Sequence, residues 1–390
     1  MRKEDLILVS VDDHVVEPPD VFEHHLPAKY KDIAPRIEHR ADGTDAWKFL
    51  DFHIPNVGLN AVAGRPPEEY GMDPTSFEEL RPGTYDVKQR VLAQAYNDWH
   101  IDEWCGYAPE RFIPLAIPLI WDPDACAAEV RRVAKKGCHA ITFPENPVPL
   151  DLPSFHTDHW NPVWAACQDE GTVVCMHIGS SGRLAITAPD APIDVLINLQ
   201  PMNIVQAAAD ILFSPVITQY PGVQIALSEG GIGWIPYFLE RIDHTYKVHR
   251  AWTFADFGGK LPSEVFMERM ILCFIEDDFG ARQAREIGVD RICMETDYPH
   301  SDAVWPNAPE RMTEAFAPTD LTDDEINQIT HLNAMKFFQY DPFKIRPREK
   351  CTAGALRAEA QGHDVSVVAK GRRVEHDAPT KVAVFGGTRA

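Results

Sequence analysis

The stretch LILVSVDDHVVEP, Leu6 to Pro18, opens on an apolar run, turns into two aspartates and a histidine, and reaches a glutamate three residues later. A short run rich in Leu, Ile and Val and bounded by polar residues predicts a buried strand over Leu6 to Val11. Asp12 and His14 are two apart, so on an extended chain they share a face while Asp13 points the other way. A carboxylate and an imidazole on one face of a strand end can supply two ligands to a cation.

Further along, the same pattern recurs. Apolar runs at Phe112 to Ile120, His139 to Phe143, Thr172 to Ile178, Val223 to Ser228, Met270 to Ile275 and Arg291 to Glu295 bring the expected strands to seven. Helix-length segments separate them: Asp86 to Trp104, Pro123 to Lys136, Pro162 to Glu170, Asp194 to Phe213, Trp234 to Trp252 and Ala281 to Ile287. Their ends carry helix signals, such as Asp122 before Pro123, Gly137 after the last turn, and the Thr322 to Glu325 capping box that opens a final helix. Strands alternating with helices predict a parallel α/β sheet. Two regions break the alternation. Residues 18–85 are proline-rich, too long for a simple connection, and read as an insertion covering one face; residues 346–390 read as a C-terminal extension beyond a single domain spanning 1–345.

The formal charge of −22 argues against a nucleic-acid ligand and against anionic membranes. No apolar run reaches the length of a membrane span, and the first residues lack the apolar segment of a signal peptide, so the expected location is the cytoplasm. Eight cysteines without a CxxC pair read as reduced, buried thiols rather than a disulfide framework.

In parallel α/β folds the chemistry collects just past the C-terminal ends of the strands. The residues there are metal-capable: Asp12 and His14 after the first strand, His177 in VVCMHIGSSG, Glu229 in VQIALSEGG, and Asp297 in ICMETDYPHSD, with His300 and Asp302 beyond. Singly, each has a plainer reading as a surface histidine or a helix N-cap. Four strand ends carrying such residues in one chain point instead to a coordination set of Asp12, His14, His177 and Asp297. Its N and O donors suit a divalent ion, zinc first and manganese or iron as alternatives.

The order D-x-H, a strand-end histidine, SEGGIGWIPYFLERID, ETDYPHSD and NAMKFFQYDP resembles the amidohydrolase superfamily, in its amidohydrolase-related, decarboxylase-like branch, over most of residues 6–345. That branch includes aminocarboxymuconate semialdehyde decarboxylase and γ-resorcylate decarboxylase. The resemblance implies a distorted (β/α)8 barrel with a catalytic divalent metal. It assigns Asp12 and His14 to the carboxylate-x-His form of the first-strand pair, His177 to the fifth-strand ligand and Asp297 to the eighth-strand aspartate. In two places the chain departs from the family. Glu229 stands where related members carry an acid/base histidine, and it can either carry a proton or bind a second metal. The second barrel strand is missing from the pattern: either AWKFLDFHIP within the insertion substitutes for it, or the barrel is gapped.

The expected activity is non-oxidative decarboxylation or hydrolysis of a small organic or aromatic acid, with Glu229, Asp297 and His300 as the catalytic groups. Glu17, Arg183 and Asp302 are the expected substrate contacts, Arg183 through a bidentate grip on a carboxylate. The alternatives are a dinuclear-metal, oxygen-activating hydroxylase and an inactive subunit paired with an active paralogue. The expected partners are a small carboxylate and further copies of the chain.

Overall fold

The computed structural model describes residues 1–19, 22, 28–81, 93–182 and 184–370. They divide into two compact units. One comprises Met1–Pro118, Arg132–Ala140 and the described part of Cys293–Arg373; the other comprises Leu119–Arg131 and Ile141–Ile292.

In the first unit, the insertion folds as an antiparallel sheet of β1 (Arg36–His39), β2 (Asp45–Phe49) and β3 (Phe52–Ile54), with Trp47 opposite Ile37 on one side and Ile54 on the other. Gly43, at a φ of +83°, turns β1 into β2 where a side chain would be strained. Trp47 packs with Val16, Val57, Ala61, Phe77 and Leu80, so the proline-rich segment has an apolar core of its own. AWKFLDFHIP therefore forms a hairpin in a separate sheet and does not replace the second barrel strand.

The first apolar run is extended but forms no regular ladder among the described residues. Its Val9 N–H bonds to the Thr330 carbonyl at 2.8 Å and its Val11 N–H to the Met294 carbonyl at 3.2 Å. The run expected over Phe112 to Ile120 is likewise reduced, to a bridge through Ala116, whose N–H meets the Ala140 carbonyl at 3.0 Å. Next to Ala116, the fully buried Asn97 side chain accepts from the Ile117 N–H at 2.8 Å and donates to the Ile117 carbonyl at 3.0 Å. An amide side chain thus meets both backbone groups that a neighbouring strand would otherwise pair, as buried backbone requires. Asn97 lies on the helix Ala93–Asp98, which runs on into the π-helical turn Trp99–Cys105; the start of the helix expected from Asp86 lies outside the described residues.

The second unit is built on parallel strands in sequential order, β4 (Ala140–Pro144), β5 (Val173–His177), β6 (Ile225–Ser228) and β7 (Met270–Phe274), and β8 (Ile292–Met294) follows at the boundary of the two units. β6 and β7 are buried at every position, the continuous apolar pattern of strands covered on both faces. Phe143, Phe155, Trp160 and Trp164 pack edge to face beside β4, with Phe143 and Trp160 centroids 5.1 Å apart. The helix expected over Asp194 to Phe213 is two helices, Ile193–Leu199 and Met202–Leu212. Pro201 lies at the break, because its ring cannot donate to the preceding turn. The register His177 opposite Ser228 brings the ends of β5 and β6 level, so Glu229 emerges beside His177.

The described part of the C-terminal extension is tied to its own unit. Ala353 N–H bonds to the Leu6 carbonyl at 2.8 Å, Arg357 holds Glu310 through two bonds of 2.6 and 2.7 Å, and Val368 N–H bonds to the Gly64 carbonyl at 3.0 Å. Among the described residues no helix is long and apolar enough to cross a membrane. All eight cysteines are buried and free, as the absence of paired spacings implies.

Candidate metal centre

In the first unit four candidate residues come together. Asp297 Oδ1 lies 3.1 Å from His14 Nε2 and 2.8 Å from His300 Nδ1, and Asp12 Oδ1 is 3.6 Å from His14 Nε2. The His14 and His300 rings face each other at 3.8 Å. Donors that share one ion at about 2 Å are separated by no more than about 4 Å, so these spacings suit coordination. Two local features set the arrangement. Asp297 N–H bonds to the Asp12 carbonyl and His14 N–H to the Tyr298 carbonyl at 3.0 and 2.7 Å, so the loop after β8 runs alongside the ligand pair. Asp297 itself is 1% exposed and holds a φ of +52°, a left-handed conformation that costs a non-glycine residue free energy and persists where the surroundings over-determine it.

Asp13 serves the same loop. Its carboxylate accepts from the Thr296 hydroxyl and, at 3.0 Å, from the Tyr298 N–H. Glu17 is half-buried, and burial holds its carboxyl above the usual range. Asp302 is exposed on the turn beyond His300. Arg183 lies outside the described residues.

In the second unit His177 and Glu229 form a pair, with Nε2 3.3 Å from Oε2. The other ring nitrogen, His177 Nδ1, is 2.6 Å from the Ile178 carbonyl. A carbonyl only accepts, so Nδ1 carries the proton and the Nε2 lone pair of the neutral ring is directed at the Glu229 carboxylate. Two acceptors facing each other call for a proton or a cation between them, and a backbone carbonyl on the far nitrogen is how metal-binding histidines are oriented. The donor chemistry of both units therefore fits a divalent ion. Glu229, like Asp297, is left-handed, at a φ of +56°.

Two carboxylates in this unit were not among the expected residues. Glu145, just past β4, and Asp277, three residues past β7, both hold neighbouring loops. The rule that led to Glu229 also reaches them, since each follows an apolar strand; the strand pattern does not tell whether such a carboxylate faces an ion or a backbone amide.

The amidohydrolase family model matches residues 22–339. The chain belongs to the amidohydrolase family. Within the amidohydrolases it is similar to the γ-resorcylate decarboxylase of Rhizobium sp. strain MTP-10005, at 23% identity over 328 residues that cover 76% of this chain and 91% of that one. Among solved structures it resembles an amidohydrolase from Mycobacterium avium subsp. paratuberculosis K-10, with a TM-score of 0.64 at 20% identity over 85% of this chain and 99% of that one. It also resembles the dihydroxybenzoic acid decarboxylase of Polaromonas sp. JS666, determined with bound manganese and the inhibitor 2-nitroresorcinol, with a TM-score of 0.53 at 17% identity over 89% of this chain and 99% of that one. The fold class is the distorted (β/α)8 barrel of metal-dependent hydrolases.

Proposed function

We propose that the chain is a metal-dependent, non-oxidative decarboxylase of a small aromatic carboxylic acid, with residues 1–345 as its catalytic domain. The observation that carries this reading is the convergence of Asp12, His14, Asp297 and His300 in one unit, matched in the other by a His177 whose tautomer directs Nε2 at Glu229. Asp12, His14, His177 and Asp297 would hold the ion. Manganese takes precedence over zinc, because a structural relative was determined with it and because the two carboxylates of the set suit an ion that favours oxygen. When bound, the ion supplies Lewis acidity and a template for the substrate's carboxylate or adjacent hydroxyl.

The chain's own groups then divide the work. Glu229, whose side chain is largely shielded from water, would deliver a proton to the ring carbon from which CO2 departs, so that carbon exchanges a carboxylate for hydrogen with no net redox change. His300 bonds to Asp297 and keeps its carboxylate aimed. Glu17 and Asp302 are the proposed substrate contacts among the described residues, and Arg183, whose guanidinium would match a carboxylate, lies outside them.

Hydrolysis of a small acid derivative uses the same ligands. A dinuclear hydroxylase has one observation in its favour: the Glu229 oxygen and His177 Nε2 are close enough to ligate a common ion. A panel of 2-hydroxybenzoates, including γ-resorcylate and 5-carboxyvanillate, incubated with manganese-loaded protein and followed by CO2 release and product chromatography, tests the proposal. Stoichiometric CO2 with the matching phenol supports it. Hydroxylated products or oxygen consumption would replace it with the dinuclear reading.

A further inference from the structure

In the second unit the sheet order is β4, β5, β6, β7. The two inner strands deliver His177 and Glu229, and each outer strand is followed by a carboxylate that reaches sideways to the loop of its inner neighbour. Glu145 is 2% exposed; its Oε2 accepts from the Ser181 N–H at 2.7 Å and its Oε1 from the Ser181 hydroxyl at 2.7 Å. The Ser180 hydroxyl lies between Glu145 Oε2 and the His177 carbonyl, at 2.5 and 2.6 Å, and accepts the Glu145 N–H at 3.0 Å. Every one of these bonds goes to the loop that begins at His177. Asp277 divides its oxygens. Oδ1 caps its own helix by accepting from Gly280 N–H at 2.7 Å, while Oδ2 crosses to accept from Ile232 and Gly233 N–H at 2.8 and 2.6 Å, on the loop that begins at Glu229.

We infer that Glu145 and Asp277 are positioning residues, a two-sided clamp that fixes the 3.3 Å spacing of His177 and Glu229 and thereby sets metal affinity. The physical case rests on cost. A buried carboxylate such as Glu145 is tolerated only when its oxygens are well satisfied, and it finds that satisfaction in the loop that begins at His177, while the half-buried Asp277 spends one oxygen on the loop that begins at Glu229. Glu229 stands in a left-handed conformation, which needs external support to persist. Asp277 supplies it three and four residues downstream. On the β5 side, the bonds to Ser180 and Ser181 hold the turn whose Ile178 carbonyl sets the His177 tautomer.

The inference rests on the metal reading above, and the test separates the two. Wild type, Glu145→Gln, Asp277→Ser and His177→Ala are stripped of metal and titrated with Mn2+, with affinity and the bound-ion spectrum read by electron paramagnetic resonance and folding by thermal denaturation. Gln leaves one accepting oxygen in place of two. Ser can still cap the 278–282 helix but cannot span to Ile232 and Gly233. Both clamp variants are expected to bind Mn2+ about 10- to 100-fold more weakly, the range for groups that orient metal ligands, and with an altered spectrum. Wild-type affinity and spectrum in both, even with a lowered melting temperature, would overturn the clamp while leaving the metal reading intact. Failure of wild type to bind Mn2+ would remove the metal reading and the clamp with it. If Glu145→Gln does not fold, Ser181→Ala, which removes a single hydroxyl from the same carboxylate, must weaken binding in the same direction or the inference falls.

Discussion

Gly230, the residue after Glu229, has no room for a side chain. A methyl group there would lie 2.2 Å from Ile204 Cγ2, with Ile204 Cβ and Cγ1 at 3.1 and 3.2 Å. Carbon atoms rest at about 3.5 to 4.0 Å, so Gly230→Ala forces a separation of more than an ångström. Ile204 cannot yield easily. It is fully buried on the Met202–Leu212 helix, which packs against β5 and β6, and three of its atoms are in the way. Overpacking of this kind costs about 1–3 kcal/mol, and the displaced backbone carries Glu229 with it. Ile204→Ala alone costs about 2–5 kcal/mol through the cavity it leaves. In the double variant the new methyl occupies part of that cavity, so the double should be more stable than the sum of the singles by about 1 kcal/mol or more, as expected for residues in contact. Urea denaturation of the four proteins gives the coupling, and CO2 release gives the activity. Turnover should fall in Gly230→Ala and recover in part in the double. Strictly additive free energies with normal turnover in Gly230→Ala would refute the close-packing argument.

Three further expectations concern separate parts of the molecule. Glu229→Gln preserves shape and removes the titrating group, so at saturating Mn2+ metal content should persist while turnover falls about 100-fold or more, as for a lost general acid; unchanged turnover would reduce Glu229 to a structural role. Burial pushes the Cys126 thiol up to about 12 and Cys105 and Cys167 upward as well, so native protein at pH 8 should consume almost no Ellman's reagent, and unfolded protein should consume eight equivalents. The Arg357 guanidinium, with Lys3, holds the Glu310 carboxyl down at about 2. A depressed carboxyl stabilises the fold above its unfolded value of 4.5 and loses that contribution as pH falls toward 2. Denaturation midpoints of Glu310→Gln should therefore fall less than those of wild type between pH 4.5 and 2, by about 1 kcal/mol or less for so accessible a pair.

The parallel strands were legible because a strand covered on both faces is written as a continuous apolar run. β5 to β8 start and stop within two residues of the runs that announced them. The insertion was opaque because β1 to β3 are short, polar on one side and surrounded by prolines, so neither period had room to show. Pro201 did signal the break in the helix before β6, but the apolar spacing on either side of it reads as continuous. Asn97 had no signal at all: an asparagine inside a helical pattern does not disclose that its amide will meet the backbone of Ile117. Glu145 and Asp277 were visible in position and hidden in role.

The central claim is the proposal that Asp12, His14, His177 and Asp297 hold one divalent ion. Elemental analysis of protein purified without added metal, for wild type, His14→Ala and His177→Ala, tests it most directly. One divalent ion per chain in wild type and near-complete loss in each variant is the result the proposed site predicts. Full metal content in His177→Ala, or two ions per wild-type chain, would contradict a single shared ion.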